Sequence, residues 1–311
     1  MAHRFSSFSA ACCLLAAITS GRMAAAQAQR LPSKAETDAE HLWRQVLVAL
    51  DQHASVRCKL YQDVRTYDQH LLGHGAYVQG PPGYLWSSLE LAIKVDEADA
   101  IVQQRCDGER LWIFRSNDNL PRLGCVDVKR VLEAVRAAGR ERGAVPSLGI
   151  GGLPKLFDSL DKGFRFTDVR TFKIDQQPVY ALRGEWEKER LLRWLPQQKE
   201  AIESGGAVDL TKLPPPIPDH VLIYVGATDL FPRRIEYRRA STSQQGPQEQ
   251  TLLLLSFSKI EFDQPVDRRS FAFPSSPLPV TDETDSYIRN LGLTPVPEAA
   301  SAAPTAAGPT R

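Results

Sequence analysis

The chain has 311 residues, 42% of them hydrophobic, 8% aromatic and 24% charged, which suits a protein that buries a sizeable core and not a disordered chain. Lys and Arg number 38 against 37 Asp and Glu, a formal net charge of +1, so no strong field draws nucleic acid or an anionic membrane. Apart from an amino-terminal leader, no apolar run approaches the roughly 20 residues that cross a bilayer as a helix.

Met1 to Gln29 reads as a secretory signal peptide. His3-Arg4 makes a basic start, Phe5 to Ile18 is mostly apolar or small, and Ala26-Gln27-Ala28 is a small-x-small cleavage site. A lipid-attachment site at Cys12 would fall too early to leave an apolar region before it. Arg4 and Arg22 are the leader's only charged residues, so cleavage after Ala28 takes the formal charge from +1 to −1. An exported chain places Cys58, Cys106 and Cys125 in an oxidising space, where an odd number allows one bridge at most. Free buried thiols and a single disulfide are both open readings. No C-x-x-C occurs, which argues against a thiolate zinc site.

Thr37 to Ala54 predicts an amphipathic helix, with Leu42, Val46, Ala49, Leu50 and His53 at helical spacing. From Val56 the period becomes two, and Val56, Cys58, Leu60 and Val64 alternate with polar residues as in a half-exposed antiparallel strand. Gly73 to Gln79 continues in this style. Gly80-Pro81-Pro82-Gly83 breaks the chain before a strand at Tyr84 to Lys94, and Asp107-Gly108 predicts a tight hairpin between Ile101–Cys106 and Arg110–Arg115. Helices are expected at Asp127 to Arg142 and Leu153 to Leu160, and two helical turns divided at Pro196 within Glu187 to Ser204. Strands are expected at Phe164 to Val169, Pro178 to Trp186, His220 to Val225, Arg233 to Ala240 and Thr251 to Phe262. In the last, Leu253, Leu255 and Phe257 share a face that Ile260 and Phe262 do not, which a bulge near Ser258 reconciles. Phe271 and Phe273 are expected to end the ordered part.

Catalytic signals are thin. The chain has no G-x-S-x-G, H-E-x-x-H or Walker-type loop, and Gly149-Ile150-Gly151-Gly152 lacks the Lys-Ser/Thr of a phosphate cradle. It reads as a flexible lead into the short helix. His70 and His74 lie about 13 Å apart on a strand, at roughly 3.3 Å per residue, too far to share an ion. Asp282, Glu283 and Asp285 read as solvated surface, and Glu185, Glu187 and Glu189 are balanced by Lys188, Arg190 and Arg193. More telling, several strands are apolar on both faces: Leu111 and Ile113 point one way, Trp112 and Phe114 the other. Such a sheet needs helices over one face and something else over the other.

The run Gly75 to Leu91, followed by Asp107-Gly108-Glu109-Arg110-Leu111-Trp112-Ile113-Phe114, resembles the outer-membrane lipoprotein carrier (LolA/LolB-like) family. Leu230-Phe231-Pro232-Arg233-Arg234-Ile235 is similar to its closing strands, and Asp267 to Pro274 to its final Phe-x-Phe-x-Pro strand. The resemblance spans about Thr37 to Asp282. It implies an incomplete barrel of about eleven antiparallel strands with a helical lid over a hydrophobic cavity, which carries lipoprotein acyl chains through the periplasm without cofactor or covalent chemistry. The chain departs from the family in two places. Gly80-Pro81-Pro82-Gly83 stands where such carriers often have a lid-locking Arg-Pro pair, and the insertion Glu187 to Pro218 is long.

The resulting expectation is an α+β protein: signal peptide 1–28, open-barrel domain 29–292 and a disordered Pro/Ala-rich tail 293–311. It is expected to bind lipid or a lipoprotein acyl group non-covalently in the periplasm, with no enzymatic activity, cofactor, metal or nucleic-acid partner. A membrane-bound donor or acceptor is a further expected partner. The expected cavity lining is Leu60, Trp86, Leu89, Leu91, Trp112, Phe114, Tyr224, Ile235, Tyr237 and Phe257. The alternative is an envelope structural or interaction protein of the same fold with a filled interior.

Overall fold

The computed structural model describes residues 34–65, 69–95, 98–117, 120–138, 148–243 and 246–295. The leader, the end of the helix expected to reach Arg142, and the tail from 296 lie outside the described residues.

The chain opens with α1 (Lys34–Gln52) and then runs through β1 (Val56–Arg65), β2 (His70–Gln79), β3 (Trp86–Val95), β4 (Ala98–Asp107), β5 (Arg110–Asn117) and β6 (Leu120–Asp127). Two helices follow, α2 (Val128–Ala137) and α3 (Gly152–Gly163), and then β7 (Phe164–Ile174) and β8 (Gln177–Trp186). The insertion carries α4 (Lys188–Trp194) and α5 (Lys199–Ser204). The chain closes with β9 (His220–Gly226), β10 (Pro232–Ser243), β11 (Gly246–Phe262), a 3-10 turn (Arg268–Phe271), β12 (Val280–Asp282) and α6 (Thr284–Asn290).

All twelve strands form one sheet in the order β12-β6-β5-β4-β3-β2-β1-β11-β10-β9-β8-β7. Every pairing is antiparallel except β12 on β6. The sheet is two meanders, β1–β6 and β7–β11, joined where β1 pairs with β11. Because β7 and β12 are separate edges, the barrel is incomplete, as the resemblance implied.

Local chemistry accounts for these elements. In β1, Val56, Cys58, Leu60, Gln62 and Val64 are buried and the alternate residues are more exposed, the period-two pattern of a sheet with one covered face. At the Asp107-Gly108 turn, Gly108 takes a φ of 91°, and the Asp107 carboxylate accepts from the Glu109 and Arg110 amides at 2.9 and 2.8 Å. The expected bulge lies at Lys259 and Ile260. Arg57 faces Glu261 while Lys59 faces Ser258, and Lys259 has a φ of 50°. The extra residue turns Ile260 and Phe262 onto the core side. Gly75 is required by close approach, because a Cβ there would lie 1.6 Å from the Glu90 carbonyl oxygen on β3.

The concave face holds the core. Trp43, Val46 and Leu50 of α1 and Leu153, Leu156, Phe157 and Leu160 of α3 pack on β1–β4 and β7–β11. Val131 and Val135 of α2, with Tyr287, Ile288 and Leu291 of α6, form a second cluster on Cys106, Leu111, Ile113 and Val126. The insertion makes its own small core from Leu195, Ile202, Leu213 and Ile217. It is pinned to the sheet by Arg239, whose guanidinium donates to the carbonyls of Leu213 and Pro214 (both 2.6 Å), Ile217 (3.1 Å) and Thr211 (3.3 Å).

Two expectations fail at the carboxyl-terminal end. Order does not stop at Phe273, since β12 and α6 follow. The acidic run is solvated surface only at Asp282, whose side chain is 72% exposed; Glu283 and Asp285 are half-buried partners of arginines. Both Glu283 carboxylate oxygens accept from Arg115 Nη1 (2.8 and 3.0 Å), Asp285 accepts from Arg130 at 2.6 Å, and Asp282, just ahead of α6, accepts from the Thr284 amide at 2.8 Å. The segment likened to a final Phe-x-Phe-x-Pro strand is instead the 3-10 turn, because the Asp267 carboxylate accepts from the Arg269 amide at 2.9 Å and curls the backbone.

Candidate functional site

Strand parity and ladder register separate the ten expected lining residues into two groups. Leu60, Leu89, Leu91, Ile235, Tyr237 and Phe257 belong to one buried cluster on the concave face, beneath α1 and α3. Leu60 lies opposite Phe257 across the β1–β11 ladder, and Leu91 lies opposite Gly75, which in turn faces Leu60. The four strands β3, β2, β1 and β11 thus bring their apolar side chains to one basin, which Ile235 and Tyr237 extend onto β10.

Trp86, Trp112, Phe114 and Tyr224 project from the opposite face and do not line the basin. Trp112 and Phe114 lie 6.2 Å from the ring of Phe273, and Trp86 lies 5.7 Å from Phe271. The residues after β11 therefore form a strap over the outer face, held by Arg105, which bonds Glu90 at 2.9 Å and reaches the Ala272 carbonyl. This strap is the second cover that the two apolar faces required. Tyr224 meets Phe172 edge-on at 6.3 Å, beside the buried Glu236 carboxylate that Arg234 and Arg238 flank.

The basin's roof is built by residues that sequence periodicity did not single out. Trp43 stacks on Phe157 of α3 at 5.3 Å and on Phe166 of β7 at 4.0 Å, and its indole N–H donates to Asp161 at 2.8 Å. The start of α3 is held by Tyr77. This fully buried hydroxyl accepts from the Leu153 amide at 2.8 Å and donates to Gln79 Oε1 at 2.8 Å. Gly151 and Gly152 have φ values of 78° and 59°, and a Cβ on Gly152 would collide with the Tyr77 hydroxyl. The glycine run is therefore a shaped joint between α3 and the sheet, where the sequence suggested only slack. Ser87 completes it by donating to the Gly149 carbonyl at 2.6 Å. A Y-x-Q pair preceding a G-G-L-P helix start is the sequence signal that would have found this joint.

The titratable groups around the basin are held neutral or lie at its rim. Burial pushes the Cys58 thiol up to about 12 and the Cys106 thiol up to about 11, so both are protonated and poor nucleophiles. Cys58, Cys106 and Cys125 are all free and buried, which settles the open disulfide question. Burial also raises the phenol of Tyr77 and that of Tyr237. At the rim, where Glu187 donates its amide to the Gly163 carbonyl at 2.9 Å, burial lifts its carboxyl against the pull of Arg165. His70 and His74 stand on β2, His70 bonded to Asp63 at 2.9 Å and His74 tilted against Tyr61 at 4.8 Å. Among the described residues no group of three or more His, Cys, Asp or Glu side chains could hold a metal ion, and no helix is long and apolar enough to cross a membrane.

No known protein family matches the chain, and no curated protein does. Among solved structures, the chain is similar to LprF from Mycobacterium bovis, at 12% identity over 79% of this chain and 99% of that one, with a TM-score of 0.38. It is similar to the lipoprotein LppX from Mycobacterium tuberculosis, at 11% identity over 74% and 98%, with a TM-score of 0.34. It is also similar to an outer membrane lipoprotein-sorting protein domain from Vibrio parahaemolyticus, at 7% identity over 76% and 97%, with a TM-score of 0.32.

Proposed function

We propose that the protein is an exported, periplasmic, non-enzymatic carrier that holds the acyl chains of a lipid or lipoprotein on the concave face of its sheet. The observation that carries this reading is the joined set Leu60, Leu89, Leu91, Ile235, Tyr237 and Phe257, an apolar basin roofed by two helices. One of those helices, α3, hangs from a glycine joint. An acyl chain entering beneath α3 exchanges water for side chains at roughly 0.8 kcal/mol per methylene, so affinity needs no charged site. The binding state requires α3 to lift from Tyr77, which makes the described conformation the closed form. Its partners are the acyl-bearing cargo and a membrane-bound donor or acceptor.

Native mass spectrometry of protein isolated from its own envelope, followed by organic extraction, tests the proposal. A bound acyl-bearing mass that is lost in Leu91→Asp supports it. Protein free of lipid that also fails to take up a fluorescent fatty acid overturns it.

The stacking of Trp43 on Phe157 and Phe166 favours a second reading, an envelope interaction protein whose interior is permanently filled by its own aromatic side chains.

A further inference from the structure

Two polar side chains face the apolar basin with nothing to bond. Gln62 stands in β1 between Leu60 and Val64, on the concave side, and is 6% exposed. Tyr237 stands in β10 on the same side and is 3% exposed. Among the described residues neither the Gln62 amide nor the Tyr237 hydroxyl has a hydrogen-bond partner, although the buried Tyr77 hydroxyl and Gln79 amide satisfy each other nearby. Nor are the two groups among the side-chain atoms sealed without a partner. Their small remaining surface therefore includes the polar atoms, which a ligand atom can reach.

The register puts them around one spot. Gln62 lies opposite Leu255 and Tyr237 opposite Leu253, so the two strands flank β11 and the two backbones, offset by two residues, lie about 12 Å apart at roughly 4.8 Å per strand and 3.3 Å per residue. Across the other ladder Gln62 faces Gly73, which contributes no side chain. The three atoms nearest a Cβ there belong to Gln62, Ile93 and Leu91, at 3.5 to 3.8 Å. The neighbours that the ladders and Gly73 bring to it, Leu91, Ile93, Leu253 and Leu255, are hydrocarbon. Gln62 and Tyr237 carry no charge, so the spot between them offers hydrogen bonds without a counter-charge.

Resting on the carrier reading, we infer that Gln62 and Tyr237 are anchor donors for the carbonyl oxygens of an ester-linked, uncharged acyl group. The amide N–H and the phenol O–H each supply a hydrogen bond to a neutral acceptor that arrives with its chains already in the basin. An unpaired donor in an apolar site discriminates against a ligand that lacks the matching acceptor more sharply than hydrocarbon contacts discriminate by length. The site is thus built for a diacylglyceryl type of group, whose carbonyls sit at the head of two chains.

The test compares dioleoylglycerol with the dialkyl ether of the same chain length, each displacing a bound apolar fluorophore from the full-length mature protein. The ether keeps the chains and the glycerol and lacks only the carbonyls. The wild type is expected to prefer the ester by about three- to tenfold, the share of one or two neutral hydrogen bonds. Gln62→Leu and Tyr237→Phe are each expected to reduce the ratio of ester to ether affinity. Both variants remove an unpaired polar group, so their melting temperatures are expected to hold or rise, which separates the effect from misfolding. Equal affinity of the wild type for the two lipids, or an undiminished preference in both variants, overturns the anchor assignment while the carrier reading stands. Failure of both lipids to displace the fluorophore overturns the carrier reading and the anchor with it.

Discussion

Replacing Tyr77 by phenylalanine removes one oxygen from the joint between α3 and the sheet, and the consequence can be worked through. The hydroxyl serves two buried groups, the Leu153 amide and Gln79 Oε1, each at 2.8 Å. Phenylalanine leaves both without a partner in a site that admits no water in the closed form. At about 1–3 kcal/mol for each buried group left unsatisfied, and with some relaxation at the glycines, the loss is about 3 kcal/mol. The loss falls on the closed position of α3 and not on the strand ladders, so it acts as a shift in a local equilibrium. At about 1.4 kcal/mol per factor of ten, the ratio of closed to open falls about a hundredfold. Hydrogen exchange followed by mass spectrometry checks this directly. Amides of α3 are expected to exchange about a hundred times faster, while those of β1 and β2 keep their wild-type protection, and an apolar dye is expected to bind faster. If the exchange of α3 changes less than threefold, or if α3 and the sheet change together, α3 is a fixed part of the core and the lid argument fails.

Other positions give independent tests. Gly75→Ala places a methyl group against the β3 backbone and is expected to cost more than about 3 kcal/mol, read by urea denaturation; a loss under 1 kcal/mol would mean that the close approach is not maintained. Arg239→Ala removes all four carbonyl bonds to the insertion and is expected to expose residues 205–218 to limited proteolysis while the melting temperature moves little. Burial, with Arg183 adding to it, pulls the imidazole of His220 down to about 4, below the 6.5 of the unfolded chain. Stability from this group is therefore complete above pH 6.5 and is lost as pH falls from 6.5 towards 4, by up to about 3 kcal/mol. His220→Gln is expected to flatten that limb of the stability curve, and an unchanged slope would show that other groups carry it.

Much of the sheet could be read from local chemistry. The Asp107-Gly108 turn, the break at Gly80 to Gly83, the division of the insertion at Pro196 and the bulge after Ser258 each depend on residues within a few positions of one another. Most of the misses depend on distant partners. Nothing near Glu283 and Asp285 predicts that Arg115 and Arg130 will neutralise them and so order β12 and α6. Trp86, Trp112, Phe114 and Tyr224 have the hydrophobicity of core residues and clear alternation. Parity alone cannot say which face is inside when the other is covered from afar, by Phe271 and Phe273 over Trp86, Trp112 and Phe114 and by Phe172 against Tyr224. Trp43 fell outside the expected helical stripe because the buried face of α1 is centred one residue further round than Leu42 suggests. Gln62 escaped notice for the opposite reason: a glutamine in an apolar alternation reads as an exposed position, and only the ladder shows that it is not.

The seam between β1 and β11 has a kinetic consequence. Every other antiparallel ladder joins strands that follow one another in the chain, but this one pairs Val56 with Phe262 and Val64 with Leu253. Both meanders can therefore form early from near neighbours, each with one long unpaired edge. They become one sheet only when a loop of about two hundred residues closes, and the entropy of that closure is spent before the concave core is sealed. The slow step of folding is accordingly the docking of two preformed halves, and until it is complete the apolar strands β1 and β11 are exposed side by side to any other unfolded chain. A protein with this topology needs time and isolation to fold more than it needs a larger core, and slowing substitutions are expected to cluster at Leu60, Leu255 and Phe257, where the halves meet.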